Sequence, residues 1–230
     1  MRLDRFISQS AGISRSQARL LIRRGEISVG GEVAKDAARP VGEAETVTRG
    51  DLCLELPRPV YLMLNKPCGL LSATEDREQA TVLSLLPPEL AARVHLVGRL
   101  DKDTSGLLLL TDDGAWSHRI ASPKHAIDKT YVAELAEPLV EDAEQRLAAG
   151  LLLRNEAQPT KPAILERLCA TQVKISISEG RYHQVRRMFA ALGNRVLSLH
   201  RERIGRLHLD AGLQTGQWRE LTREERDCLA

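Results

Sequence analysis

The segment "LPRPV" (56–60) limits the possible folds of this chain more than any other stretch. Its two prolines lack backbone N–H donors and have a fixed φ. Neither a helix interior nor a central strand runs through such a segment. The 230 residues are therefore expected to form two domains, 1–58 and 59–230, each burying its own core.

Residues 1–58 read as a small α/β module. Leu3, Phe6 and Ile7 have helical spacing, and Gly12 can end that helix. Ser14 and Gln17 form a capping-box pattern for a second helix. Arg15, Arg19 and Arg23 follow at four-residue steps and share one face, with Ala18, Leu21 and Ile22 on or near the other. Gly25 stops the helix, and "EISVGGEVA" reads as strand with a tight turn at Gly30-Gly31. An arginine-faced helix pair followed by a hairpin is a shape that can dock on RNA. The same pattern also fits a small domain whose arginines serve solubility.

Strands dominate from "VYLMLNKP" onward. Residues 60–65, 94–97 and 107–111 are apolar enough for buried strands, and 130–135 and 172–178 alternate. In the last of these Val173, Ile175 and Ile177 share a face. Helices are expected at 114–121, 138–149 and 182–192. Val185, Met188, Phe189 and Leu192 form an apolar stripe that reads as core, and Gly193 can cap that helix. Thr222 and Glu225 form a second capping box. Regular βαβα alternation is missing. The expected class is therefore α+β, with a mixed, mainly antiparallel sheet and flanking helices.

A net charge of +2 does not by itself announce a partner. Residues 1–24, however, hold six arginines against Asp4, and residues 180–206 hold seven against Glu202. Such segments are either focused nucleic-acid patches or solvated helix faces. Aromatic residues make up 3% of the chain, which argues against reading single strands mainly by stacking. Cys53, Cys68, Cys169 and Cys228 form no CxxC pair, so their spacing does not suggest zinc. Arg2, Asp4 and Arg5 interrupt any early apolar run, and no stretch approaches the roughly 20 residues of a membrane span. A reduced, cytoplasmic monomer with no membrane partner, metal or cofactor is the expectation.

The stretch "HLVGRLDKDTSGLLLLTDDG" (95–114) places a polar loop between two apolar runs. Loops held this way often carry chemistry. If the loop is extended, Asp101 and Asp103 point to opposite sides. A single catalytic carboxylate then fits better than a carboxylate pair, and a capped turn with no catalytic role fits as well.

This stretch resembles the signature of the RsuA branch of the pseudouridine synthases. "YLMLNKPCGLLS", "ASPKHAIDKTYVAEL", "TKPAILE", "SEGRYHQVRRMFAALGN" and "LHRERIG" agree with the same branch in order. "RLDRFISQSAGISRSQARLLIRRGEISVGG" resembles an S4 RNA-binding domain. The resemblance covers essentially the whole chain. It implies isomerisation of uridine to pseudouridine in ribosomal RNA, by base flipping and one aspartate, without a cofactor.

Asp101 matches the family's catalytic aspartate, which could attack C1′, attack C6 or take a sugar proton. Arg186 matches the basic residue paired with that aspartate, or else is a phosphate contact. For Arg187 the phosphate contact is preferred. Tyr131 matches the tyrosine that stacks on the uracil. Arg99 matches the arginine that fills the space left by the flipped nucleotide, or else makes a salt bridge. Lys66 and Arg181 are expected to line the RNA cleft, and Arg15, Arg19 and Arg23 to serve RNA docking. His183 reads as a structural or phosphate-contacting histidine, and Lys129 and Lys161 as further RNA contacts.

The S4 module, the compact chain and the lack of a long basic tail favour small-subunit 16S rRNA, at a site of the uridine-516 type. The RNA could be naked or in a partly assembled particle. Large-subunit 23S rRNA and a non-catalytic assembly role are the alternatives.

Overall fold

The structure is a computed structural model that describes residues 1–230 except Glu43, Pro123 and Ala230. It divides into two compact units, Met1–Arg58 and Pro59–Ala230.

In the first unit α1 (Leu3–Ala11) ends at Gly12, whose φ of 64° is the left-handed conformation that closes a helix. Ser14 and Gln17 form the reciprocal capping box that opens α2 (Arg15–Arg23). β1 (Ile27–Val29) and β2 (Glu32–Val33) form the expected hairpin. β3 (Val47–Arg49) and β4 (Leu52–Leu54) complete a sheet of order β2-β1-β3-β4. Leu3, Ile7, Ala18, Ile22, Ile27 and Val47 fill its core.

A carboxylate is buried in this small unit. Asp4 is fully buried and accepts from Arg2 at 3.2 Å, Arg15 at 2.9 Å and Arg19 at 3.0 Å. The hydrogen bonds from Arg2 hold its pKa well below the ordinary carboxylate range. Those from Arg15 and Arg19 act in the same direction, against the upward push of burial. Three arginines of the basic N-terminal segment are thus also the counter-ions of its single acid, each with about half its side chain still exposed.

The second unit has β5 (Tyr61–Lys66), a 3₁₀ turn (Val82–Leu85), α3 (Pro88–Ala91), β6 (His95–Val97), β7 (Thr104–Thr111), α4 (Gly114–Ala121) and β8 (Lys129–Leu135). There follow α5 (Ala143–Ala149), β9 (Ile164–Arg167), β10 (Gln172–Ile177), α6 (Gln184–Ala191), β11 (Val196–Ile204), β12 (Leu207–His208), β13 (Trp218–Glu220) and α7 (Arg223–Asp227). The strands join one sheet of order β13-β5-β7-β11-β8-β10-β9, with β6 also on β7 and β12 also on β11. Its pairs are antiparallel except β7 with β11. The class is α+β, as expected.

Both faces of the sheet are covered, which explains the continuous "LLLL" of β7. Leu108 and Leu110 pack with Leu62, Leu64, Ala133 and Phe189 on one face. Leu107 and Leu109 pack with Met63, Trp116 and Ile120 on the other.

Three differences from the sequence reading are local. The helix expected over 138–149 begins at Ala143, and Arg167 donates to the carbonyls of Leu139 and Val140 just before it. The helix expected over 182–192 begins at Gln184, because His183 takes a left-handed φ of 47°. β7 begins at Thr104, since Thr104, Ser105 and Gly106 pair with Leu199, His200 and Arg201 of β11. Gly106 is required there. Its φ is 105°, and a Cβ would lie 2.3 Å from the Arg201 carbonyl oxygen.

The Asp4 cluster sets an acid limit on the first unit. A depressed carboxylate contributes stability that is present above its unfolded pKa of about 4 and drains as pH falls below it. Thermal melts should therefore place Asp4→Asn below wild type at pH 7, with the gap narrowing at pH 3. A gap independent of pH would show that Asp4 is not ionised in the fold.

Candidate active site

The loop between β6 and β7 is fixed through its carbonyls. Lys66, the last residue of β5, is fully buried. Its ammonium donates to the carbonyl oxygens of Pro67 at 2.9 Å, Asp101 at 3.1 Å, Lys102 at 3.3 Å and Thr104 at 2.9 Å. Burial lowers its pKa, and the nearby acidic groups Cys68, Asp103 and Asp101 oppose that. Ser72 Oγ donates to the Leu100 carbonyl at 2.7 Å and accepts from the Leu100 amide at 3.2 Å. The Gly69 amide donates to the Lys102 carbonyl at 2.7 Å. Successive peptides of the loop are thus held, and the Asp101 side chain is presented from a fixed backbone.

The sequence reading placed Lys66 on the RNA cleft. The structure corrects this: an ammonium with no exposed surface, saturated by carbonyls, cannot reach a phosphate.

Asp101 lines a cavity of about 610 Å³ together with Arg99, Lys129, Tyr131, Arg181 and Arg201. Tyr131 stands on β8 and is 9% exposed. Arg99 is exposed on the same cavity. His183 Nε2 lies 3.6 Å from Asp101 Oδ1, beyond hydrogen-bond range, and becomes an ion-pair partner only if protonated. Its ring stacks on Tyr182 at 3.9 Å, and Tyr182 is 77% exposed at the cavity wall. His183 is one of three non-glycine residues with positive φ among the described residues. Backbone strain of this kind collects at working sites.

The two aspartates diverge as the sequence suggests, but the arginine goes to the other one. Arg186 pairs with Asp103 at 2.9 Å and donates to the Asp103 and Val196 carbonyls. In this structure the partner of Arg186 is thus Asp103 and not Asp101. Asp103 and its own carbonyl meet the guanidinium together, whereas Asp101 turns to the cavity. Arg186 ties α6 to the loop from behind.

Arg181 and Arg187 are also engaged. Arg181 donates to Glu156 and to the Gln158 and Pro159 carbonyls. Arg187 donates to Glu156 and to the Tyr182 and Arg154 carbonyls. Together they bind the 154–159 segment to the start of α6 and hold the Glu156 carboxyl below its ordinary range, Arg187 most. Arg181 faces the cavity, and Arg187 is not among its lining residues. Arg15, Arg19 and Arg23 lie in the other unit, where Arg23 is exposed. The Lys161 amide donates to Glu179, and Lys129 donates to the Ile127 carbonyl.

Sequence reasoning missed Arg201, which it counted as one more arginine of a surface patch. The side chain is 3% exposed and lines the cavity. The available signal was its spacing: Leu199 and Arg201 stand two apart on a strand, so Arg201 shares the inward face.

Lys66→Met keeps the bulk and removes one donor from each of four carbonyls, of which those of Asp101 and Lys102 keep an amide partner. Urea unfolding should show a loss of at least about 2 kcal/mol. Turnover should fall by more than RNA affinity does. Unchanged stability would mean that the loop does not depend on this ammonium.

Comparison with known proteins gives the family. A family model described as RNA pseudouridylate synthase matches residues 60–191, and an S4 domain model matches residues 1–47. The chain is 49% identical over 226 residues to the ribosomal small subunit pseudouridine synthase A of Escherichia coli strain K12, covering 98% of each chain. It is 47% identical to the protein of that name from Haemophilus influenzae, covering 98% of this chain and 97% of the other. A crystal structure of a pseudouridylate synthase superposes over the full length of both chains with a TM-score of 0.74 at 45% identity. On sequence, fold and length alike, the chain belongs to the RNA pseudouridylate synthase family and is an enzyme of that family with an S4 domain at its N-terminal end.

Proposed function

We propose that the chain converts one uridine of small-subunit 16S rRNA, of the uridine-516 type, to pseudouridine, with Asp101 as the catalytic carboxylate. One observation carries the chemical half of this reading. Asp101 faces the same cavity as Tyr131 from a loop whose backbone is held at every peptide from Leu100 to Lys102. The relatives' names support the choice of RNA.

The reaction needs a carboxylate at the flipped nucleotide, a flat surface for the base and a way to offset unstacking. Tyr131 supplies the ring on which uracil stacks. Arg99 stands at the cavity and fills the gap left in the RNA, or contacts adjacent phosphates. Arg186 acts through Asp103 as a positioning residue, keeping the Asp101 loop against α6. Arg15, Arg19 and Arg23 dock RNA through the first unit. Each of the first two still offers half its side chain to solvent after serving Asp4. Arg181 and Arg187 shape the cleft wall through the 154–159 segment, which limits what they can offer a phosphate.

Pseudouridine formation replaces the C5–H bond by C5–C1′, so the C5 proton is lost. Small-subunit rRNA labelled with tritium at C5 of uridine should release label at one mapped position. Asp101→Asn should slow release at least about 100-fold while still binding RNA. Release at a near wild-type rate by Asp101→Asn would remove the aspartate from the mechanism. Release from large-subunit rRNA alone would overturn the substrate.

A further inference from the structure

We infer that Arg201 is a catalytic residue whose guanidinium donates to a carbonyl oxygen of the target uracil and stabilises negative charge that develops on the base. This rests on the reading of Asp101 and Tyr131 given above.

Arg201 is a buried cation that the fold leaves incompletely satisfied. Its Nε donates to the Leu107 carbonyl at 2.8 Å. Its Nη1 lies 3.5 Å from the Tyr131 hydroxyl, long for a hydrogen bond. Its Nη2 is buried and has no hydrogen-bond partner among the described residues. The ion pairs formed among the described residues do not include it. Elsewhere in this chain partly buried arginines find carboxylates, as Arg186 does with Asp103 and Arg219 with Asp210 and Glu225. A guanidinium stays charged, and burying it without an anion is costly. Such a group is retained where something else completes it.

Its place indicates what that is. Arg201 lines the cavity with Asp101 and Tyr131, and its guanidinium carbon is 5.9 Å from the centre of the Tyr131 ring. A base stacked on Tyr131 brings its carbonyl-bearing rim to the same wall. Lys129 is a second cation on that wall, with its pKa lowered by burial and then by the charge of Arg201. Two cations thus stand together on the wall beside Tyr131.

Each of the three routes open to Asp101 needs such a wall. When the C1′–N1 bond breaks, by attack at C1′ or by loss of a sugar proton, its electron pair goes to the base. The charge then spreads over N1, O2 and O4. When Asp101 adds to C6, the ring electrons move to O4 as an enolate. In every case a neutral carbonyl gains negative charge only along the reaction, and C5 later bonds to C1′ as its proton leaves. A preorganised donor in a dry site favours that state over the ground state. A backbone phosphate is the wrong occupant. It carries its full charge throughout, so a donor that meets it favours the ground state as much as the transition state.

The test pairs a change in the protein with a change in the RNA. Single-turnover rates and RNA affinities are measured for wild type and Arg201→Met. The small-subunit rRNA carries uridine, 2-thiouridine or 4-thiouridine at the target, sulfur being the weaker acceptor. Arg201→Met should slow the reaction on the order of 100-fold with affinity little changed. One thio substitution should slow wild type by more than it slows Arg201→Met. Equal slowing of both enzymes by both analogues overturns the contact. So does loss of affinity with the saturated rate intact, which would make Arg201 a phosphate ligand. If Arg201→Met does not fold, Arg201→Lys is put through the same comparison with the same criterion. A wild-type enzyme inactive on unmodified RNA would instead refute the proposed function.

Discussion

The Lys66 ammonium carries three protons and lies within hydrogen-bond reach of four carbonyl oxygens, those of Pro67, Asp101, Lys102 and Thr104. The loop that carries Asp101 depends on that arrangement. A polar loop leaving a buried strand must satisfy its peptides. An internal cation does so, and it fixes the backbone of Asp101 before any substrate arrives. The side chain then needs only rotamer selection to meet a ligand, so little ordering entropy is left for the binding step.

Charges in this chain are assigned by burial more than by number. Asp4, Lys66 and Arg201 are all buried, yet each is compensated differently. Asp4 takes three arginines, Lys66 takes carbonyl dipoles, and Arg201 keeps a buried donor without a partner among the described residues. The first two are closed structural solutions. The third is open, as expected of a group whose partner arrives with the substrate.

Much of this was legible in the sequence. The proline pair, the two capping boxes and the β7 leucines carry local rules that tertiary context does not override. Asp101 and Tyr131 were legible as members of motifs. Lys66 was not, because its spacing beside a proline looks the same whether it faces RNA or four carbonyls. β11 escaped notice because "VLSLHRERI" mixes its apolar pattern with Arg201 and Arg203. The reading took their charge for a surface, whereas the sheet buries Arg201 between β7 and β8. Arg186 shows the same limit at shorter range: two aspartates two residues apart are equivalent partners in sequence, and only the bend of the loop selects Asp103.

The proposed chemistry requires that Asp101 stand on a backbone already ordered in the free enzyme. Amide hydrogen exchange of the RNA-free protein tests it at Gly69, Leu100 and Thr104. Their N–H groups donate to the Lys102 carbonyl, the Ser72 hydroxyl and the Asp101 carbonyl. Protection at these amides should be comparable to that of the neighbouring β7 strand. Exchange at the rate of an open surface loop, with protection appearing only on RNA binding, would contradict it.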